Sequence, residues 1–291
     1  MNRGQLLRRL GGLVPWLLGF AGSGCGSNFD PPSLLSDLRV LAVVAEPADL
    51  VAGDSLTLRP ALFVPPGDAL AAQSFVFCPF SGGAAAGFAC LEPRCEQQWP
   101  ASADGSLQVA AANSWFGCLA EIASGAAAAQ AALGPVTLSP TFRYRVESAS
   151  GKSREAVCAL PFYLGADSPA RNRNPVIEAV LWDGVDALAS PPVEPVRGGE
   201  SKEVRVRIDE ASLDSYLGAA GETKTEEPIV TFYATAGRFD NDLAAGGDVT
   251  VRWKAEKLEP AQAQVDFYVV VRDLRGGQAV AGPWSIPLVA D

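Results

Sequence analysis

The chain has 291 residues, enough for about two domains at ~100–200 residues each. Apolar residues make up 48% and charged residues 19%, which separates it from disordered chains and coiled coils. A net charge of −10 offers nucleic acid no basic footprint, and the absence of histidine excludes Ser–His–Asp hydrolases, Cys–His proteases and His-ligated zinc or haem.

The N-terminus reads as an export signal. Residues 1–9 carry Arg3, Arg8 and Arg9 and no acid, residues 10–20 are apolar, and Ala21, Gly22, Ser23 and Gly24 follow. A basic start, a short apolar stretch and small residues before a cut define a secretory signal over 1–24. The apolar stretch is shorter than the ~20 residues of a spanning helix. Cys25 stands at the cut, and Gly22-Ser23-Gly24-Cys25 resembles a bacterial lipobox, with Gly22 where that motif has an aliphatic residue. The resemblance implies that Cys25 becomes the diacylglyceryl-modified first residue and anchors the protein to a membrane. The alternative is plain cleavage, with Cys25 kept for a disulfide. Gly26, in place of the Asp that retains such proteins at the inner membrane, implies the outer membrane or cell surface. Residues 25–35, with Pro31-Pro32, read as a flexible tether. Without 1–24, twenty basic residues face 33 acidic ones, a net −13 that favours solubility in the envelope.

The remainder divides at a polar linker, 166–174, into 36–165 and 175–291, and the same events recur in both parts. First comes an extended apolar segment, a turn and a second strand: Leu38–Val44 then Leu56–Leu58, against Val176–Leu181 then Val204–Ile208. Second comes an aromatic strand ending in glycine, Phe75–Gly82 against Ile229–Gly237. Third comes a hairpin, Phe142–Ser148 returning through Ala156–Phe162, against Phe267–Asp273 returning through Val280 to Leu288. Short strands between Gly/Pro turns predict an all-β protein of two tandem antiparallel sandwiches. Trp253 reads as core and Val269-Val270-Val271 as a buried central strand.

The Glu46-Pro47, Gly53-Asp54, Leu56-Thr57-Leu58 pattern and the Val269–Asp273 hairpin with Gly276-Gly277 resemble bacterial Ig-like and PKD-like modules. Together with the lipobox, they resemble the group of envelope lipoproteins that carry such modules. The resemblance implies two tandem Ig-like sandwiches without catalytic chemistry, in a structural or binding role toward another envelope protein or a glycan.

The first module is longer. From Gly82 to Phe142 is 60 residues, and from Gly237 to Phe267 is 30, which places an insertion at about 83–140. Its alanine-rich stretch from Leu119 to Leu133 predicts a helix that Gly134 ends. Five cysteines follow Cys25, all in this module: Cys78, Cys90, Cys95, Cys118 and Cys158. In an oxidising compartment they read as disulfides. Five allow two bridges and one free thiol, and six, with Cys25, allow three. At least one bridge is expected to pin the insertion to the sandwich, with strand residues Cys78 and Cys158 as partners or neighbours. The connectivity stays open.

Trp99, Trp115 and Phe116 form either an aromatic platform for a sugar or partner protein, with an adhesion role, or the insertion's own core. Carboxylates are the remaining candidates for hydrolytic chemistry, in the pairs Asp183/Asp186, Glu226/Glu227 and Asp240/Asp242. Asp240 and Asp242 are also weak calcium candidates, while Asp273 is expected to organise its own turn. No metal site, cofactor or nucleic-acid partner is expected.

Overall fold

Period-two alternation sets the plainest strands. Asp248–Lys254 alternates exposed and buried positions, with Val249, Val251 and Trp253 inward, as a strand covered on one face must. The computed structural model describes residues 32–120, 136–164, 171–190, 192–217, 221–256 and 263–289. The signal 1–24, Cys25 and most of the expected helix lie outside them.

In the first module the strands are β1 (Arg39–Glu46), β2 (Leu50–Val51), β3 (Ser55–Phe63), β4 (Leu70–Cys78), β5 (Gln97–Pro100), β6 (Leu107–Ala110), β7 (Val136–Leu138), β8 (Thr141–Ser148), β9 (Ser153–Ala159) and β10 (Phe162–Leu164). In the second they are β11 (Ile177–Trp182), β12 (Val185–Asp186), β13 (Val196–Arg197), β14 (Ser201–Ile208), β15 (Ser215–Leu217), β16 (Thr223–Thr225), β17 (Ile229–Ala234), β18 (Arg238–Phe239), β19 (Leu243–Ala245), β20 (Asp248–Lys254), β21 (Gln264–Arg272) and β22 (Gln278–Val289).

Each module is an Ig-like antiparallel sandwich, and the two share one plan. Sheet β1-β3-β6 corresponds to the run β11-β14-β20, and β5-β4-β8-β9 to β19-β17-β21-β22. The short parallel pairing of β2 with β10 recurs as β13 with β22. One bulge matches too, between Val40 and Ala42 in β1 and between Ile177 and Ala179 in β11. The strand pairs expected from sequence are thus all present. The insertion is smaller than 83–140, because β5 and β6 inside that span are the counterparts of β19 and β20. The added chain is the loop 79–96 and the stretch after 110. Of the expected helix only Leu119 and Ala120 are described, at the end of a single helical turn, Gly117–Ala120.

Three apolar clusters result. One fills the first sandwich around Phe75, Phe77, Phe142, Tyr144 and Phe162. Another fills the second around Trp182, Phe232, Trp253, Phe267 and Trp284. The third lies between the modules and joins Leu35, Leu41, Ala42, Phe63 and Val270, with Tyr233 and Tyr268 beside them. The bulge in β1 explains this seam. It lets Leu41 and Ala42 point outward while Val43 and Ala45 face their own core. Across the seam, β21 sends Val269 and Val271 inward and Val270 outward. The three consecutive valines are therefore buried on both faces, the pattern of a strand covered from two sides.

The chain also crosses between modules before β1 begins. Leu35 N–H donates to Ala234 O at 2.8 Å, and Ala234 N–H donates to Ser33 O at 3.0 Å. Ser33 and Leu35 are buried. The end of the segment read as a tether is thus a strand edge on β17.

Candidate functional site

The cysteines resolve by strand face. Cys78 bonds Cys90, and Cys95 bonds Cys118, which leaves Cys158 free and buried. Cys78 and Cys158 are not partners. The register places Phe77, Phe142 and Cys158 in one row and Cys78, Thr141 and Ala159 in the next. Successive residues point to opposite faces, so Cys158 faces the core and Cys78 faces away from it. On that outer face Val76, Cys78, Thr141 and Arg143 are buried too. The loop 79–96 covers them, held by the Cys78–Cys90 bridge and by Arg143 Nη2 donating to Glu96 Oε2 at 2.5 Å. Burial pushes the Cys158 thiol up to about 12.

The aromatic platform is absent, because its members are packed inside. Trp115 is buried, and Trp99 and Phe116 are half-buried against the first core. Trp99 stacks on Phe77 at 5.2 Å between centroids, Trp115 lies 5.0 Å from the same ring, and Phe116 meets Phe162 edge-on at 4.9 Å. These side chains complete the sandwich rather than face a ligand.

The candidate carboxylates serve the backbone and nearby cations. Asp183 accepts from Glu203 N–H at 2.9 Å and pairs with Lys202 at 3.0 Å. Asp186 accepts from the N–H groups of Leu188 and Ala189. Asp240 Oδ1 accepts from the N–H groups of Asn241 and Arg252, both at 2.8 Å. Among the described residues no group of three or more Cys, Asp or Glu is placed to hold a metal ion. Glu227 is exposed, but its neighbour Glu226 is buried and leads to a cluster the sequence did not single out.

That cluster lies where the modules meet. Asp49, fully buried, accepts from Asn172 N–H at 2.6 Å and from Arg171 Nε. Arg171 also donates to Asp49 O and Asp54 Oδ2, both at 2.8 Å. Asn172 Nδ2 donates to Asp273 Oδ2 at 2.9 Å, and its Oδ1 accepts from Arg275 Nη1 at 3.1 Å. Arg275 reaches Glu226 Oε1 at 2.6 Å and lies over the Tyr216 ring at 4.8 Å. Asp273 does organise its turn, accepting from Arg275 N–H at 2.7 Å and Gly277 N–H at 2.9 Å. Gly277 is obligatory here, since a Cβ would run into the Asp273 carboxylate and lie 2.7 Å from Arg173 O. Burial raises the pKa of both Asp273 and Glu226. The sequence points to Asp54, Glu226 and Asp273 separately, but the Arg171-Asn172-Arg173-Asn174 run that joins them has the polarity of a linker.

The described surface includes two open grooves. One of about 350 Å³ is lined by Trp182, Val185, Pro192, Val193, Glu194 and Lys202. Another of about 560 Å³ runs over the outer face of β4, β8 and β9, past Gln73, Arg145, Arg154 and Glu155. Among the described residues no helix is long and apolar enough to cross a membrane.

No protein-family model matches the sequence, and no curated protein is similar to it. Among solved structures, it is similar to the D00-D0 domain of intimin, at 10% identity over 87% of this chain and 98% of that one, with a TM-score of 0.25. It is also similar to the fibronectin(III)-like modules of Clostridium thermocellum CbhA, at 10% identity over 87% and 94%, with a TM-score of 0.26. A third is the Bacteroides ovatus mixed-linkage glucan utilization protein SGBP-B in complex with a heptasaccharide, at 12% identity over 88% and 48%, with a TM-score of 0.23. At such scores these likenesses carry no functional argument, and the description of two sandwiches rests on the sheets and registers themselves.

Proposed function

We propose that this is an exported, lipid-anchored envelope protein without catalytic activity. Its two sandwiches serve as a structural support or binding module for another envelope component, protein or glycan, at the outer membrane or cell surface. The observation that carries this reading is the thiol balance. Of six cysteines, four are joined to one another and Cys158 is closed in the first core. The five described cysteines thus pair among themselves or, at Cys158, stay closed in the core, which supports acylation as the role of Cys25. The two bridges also favour an oxidising compartment outside the cytoplasm. Acylation by more than one chain, at ~0.8 kcal/mol per buried CH₂, anchors firmly without a spanning helix. A binding role belongs to the exposed surface and not to Trp99, Trp115 and Phe116.

Intact-mass analysis of the protein extracted from its native membrane tests this. The expected species begins at Cys25, carries acyl chains and contains two disulfides. A mature chain that begins upstream, or an unmodified Cys25, defeats the anchoring. Replacement Cys25→Ala is expected to abolish palmitate labelling and move the protein to the soluble fraction.

A further inference from the structure

We propose that residues 171–174 form a latch that makes the two sandwiches one cooperative unit with a fixed mutual orientation. Linked domains are ordinarily free to move against each other unless their interface is large and apolar. Here four consecutive residues are each tied down, and they alternate in purpose. Arg171 holds the first module through Asp49 and Asp54, and Arg173 holds the second through Asp214, with Nη2 2.6 Å from Oδ1.

The two asparagines between and after them each bond both modules. Asn172 takes Asp49 with its backbone N–H, and Asp273 and Arg275 with its amide. Asn174 Nδ2 donates to Ala45 O at 2.7 Å and Glu46 Oε2 at 2.8 Å, while its Oδ1 accepts from Gln278 N–H at 2.8 Å. Only a primary amide offers donors and an acceptor on one short neutral side chain. An aspartate in either place would lose the donors and set a charge against Asp49 and Asp273, or against Glu46. The latch closes over an apolar seam in which Phe63 meets Tyr268 edge-on at 6.4 Å, and Arg272 Nη2 donates across it to Leu41 O at 2.7 Å. The Ser33–Leu35 segment, bridged to Ala234 of β17, adds a second crossing. Where this network is buried, at Asp49, Asn172, Glu226 and Asp273, its paired donors and acceptors specify one arrangement, because any other leaves buried groups unpaired.

Hydrogen exchange of the full soluble chain, followed peptide by peptide across denaturant concentrations, tests the latch. In the unaltered protein the slowest amides of β8 and β21 are expected to exchange through one shared opening, with matching rates and matching denaturant dependence. In the double variant Asn172→Ala/Asn174→Ala their rates are expected to part by at least tenfold, with both modules still folded. Asp248→Asn, which breaks an exposed ion pair inside the second module only, is expected to leave them matched. Should the double variant fail to fold, Asn174→Ala alone is expected to part the rates in the same direction by a smaller factor. Unequal openings in the unaltered protein, or matched openings in the folded asparagine variants, overturn the proposal.

Discussion

The two sandwiches follow the same strand plan and fill their cores by different means. In the second module the tryptophans Trp182, Trp253 and Trp284 stand on paired strands β11, β20 and β22. In the first, Trp115 comes from a one-turn 3₁₀ segment, and Trp99 from a four-residue edge strand. A ring carried on a paired strand is positioned by the backbone ladder on either side. A ring carried on a loop has no such ladder, and the first module supplies covalent bonds instead, with Cys118 three residues beyond Trp115 and bonded to Cys95. The Cys95–Cys118 bridge therefore lies where Trp115 is delivered by irregular chain, while the second module carries these three tryptophans on strands and has no cysteine.

The largest expected effect tests the strand-borne side of this contrast. Trp253 is fully buried, and its Nε1 donates to Ala236 O at 3.0 Å. Trp253→Ala is expected to cost about 3–5 kcal/mol by urea denaturation, and a loss under 1 kcal/mol on that scale would show that the core collapses around the gap.

Next is the loop-borne side. The double variant Cys95→Ser/Cys118→Ser opens a link across a sequence separation of 23 residues. It is expected to lower stability by about 2–4 kcal/mol, and near-ultraviolet circular dichroism is expected to show loosened Trp115. An unchanged spectrum would mean that packing alone seats the ring.

A smaller effect separates the junction from the surface by pH. The carboxyl groups of Asp273 and Glu226 are raised by burial. Each binds its proton more readily in the folded chain, so its contribution to stability is full below the ordinary carboxylate range near pH ~4 and is lost as pH rises through its folded value. Asp68 behaves oppositely. Hydrogen bonds from Ser150 and Ser148 hold it at about 2, and its contribution is lost as pH falls toward that value. The variant Glu226→Gln is expected to flatten the decline in urea midpoint from pH ~4 upward, while Asp68→Asn is expected to change only the acid side. Equal slopes in Glu226→Gln and the unaltered protein would exclude Glu226 from this role.

The smallest expected effect comes from exposed pairs such as Arg205–Asp248, at 2.5 Å with both partners more than 40% exposed. Asp248→Asn is expected to cost under ~1 kcal/mol, and the cost is expected to vanish in high salt.

Much of the plan was legible because it depends on local pattern. Alternation marked β14 and β20, and the matched hairpins marked β8–β9 and β21–β22. Counting allowed one free thiol, provided that Cys25 takes no part in a disulfide. Other features depend on which face a residue takes after pairing. Cys78 and Cys158 are both strand cysteines in sequence, yet one register step puts them on opposite faces. Asp49 and Asp273 lie in separate modules, and nothing near either announces the asparagine between them. The bulge in β1 lets Leu41 and Ala42 both point outward, and so a seam joins the two tandem modules beside the polar linker.

The sequence by itself determined the principal strands, the internal repeat and the composition that excludes histidine chemistry, because each depends on residues near one another in the chain. Only the tertiary structure decided which cysteines pair, that Trp99, Trp115 and Phe116 are core, and that Arg171–Asn174 is a joint rather than a loose linker. Those outcomes depend on strand register and on the meeting of two outer faces, and neither is carried by any single segment.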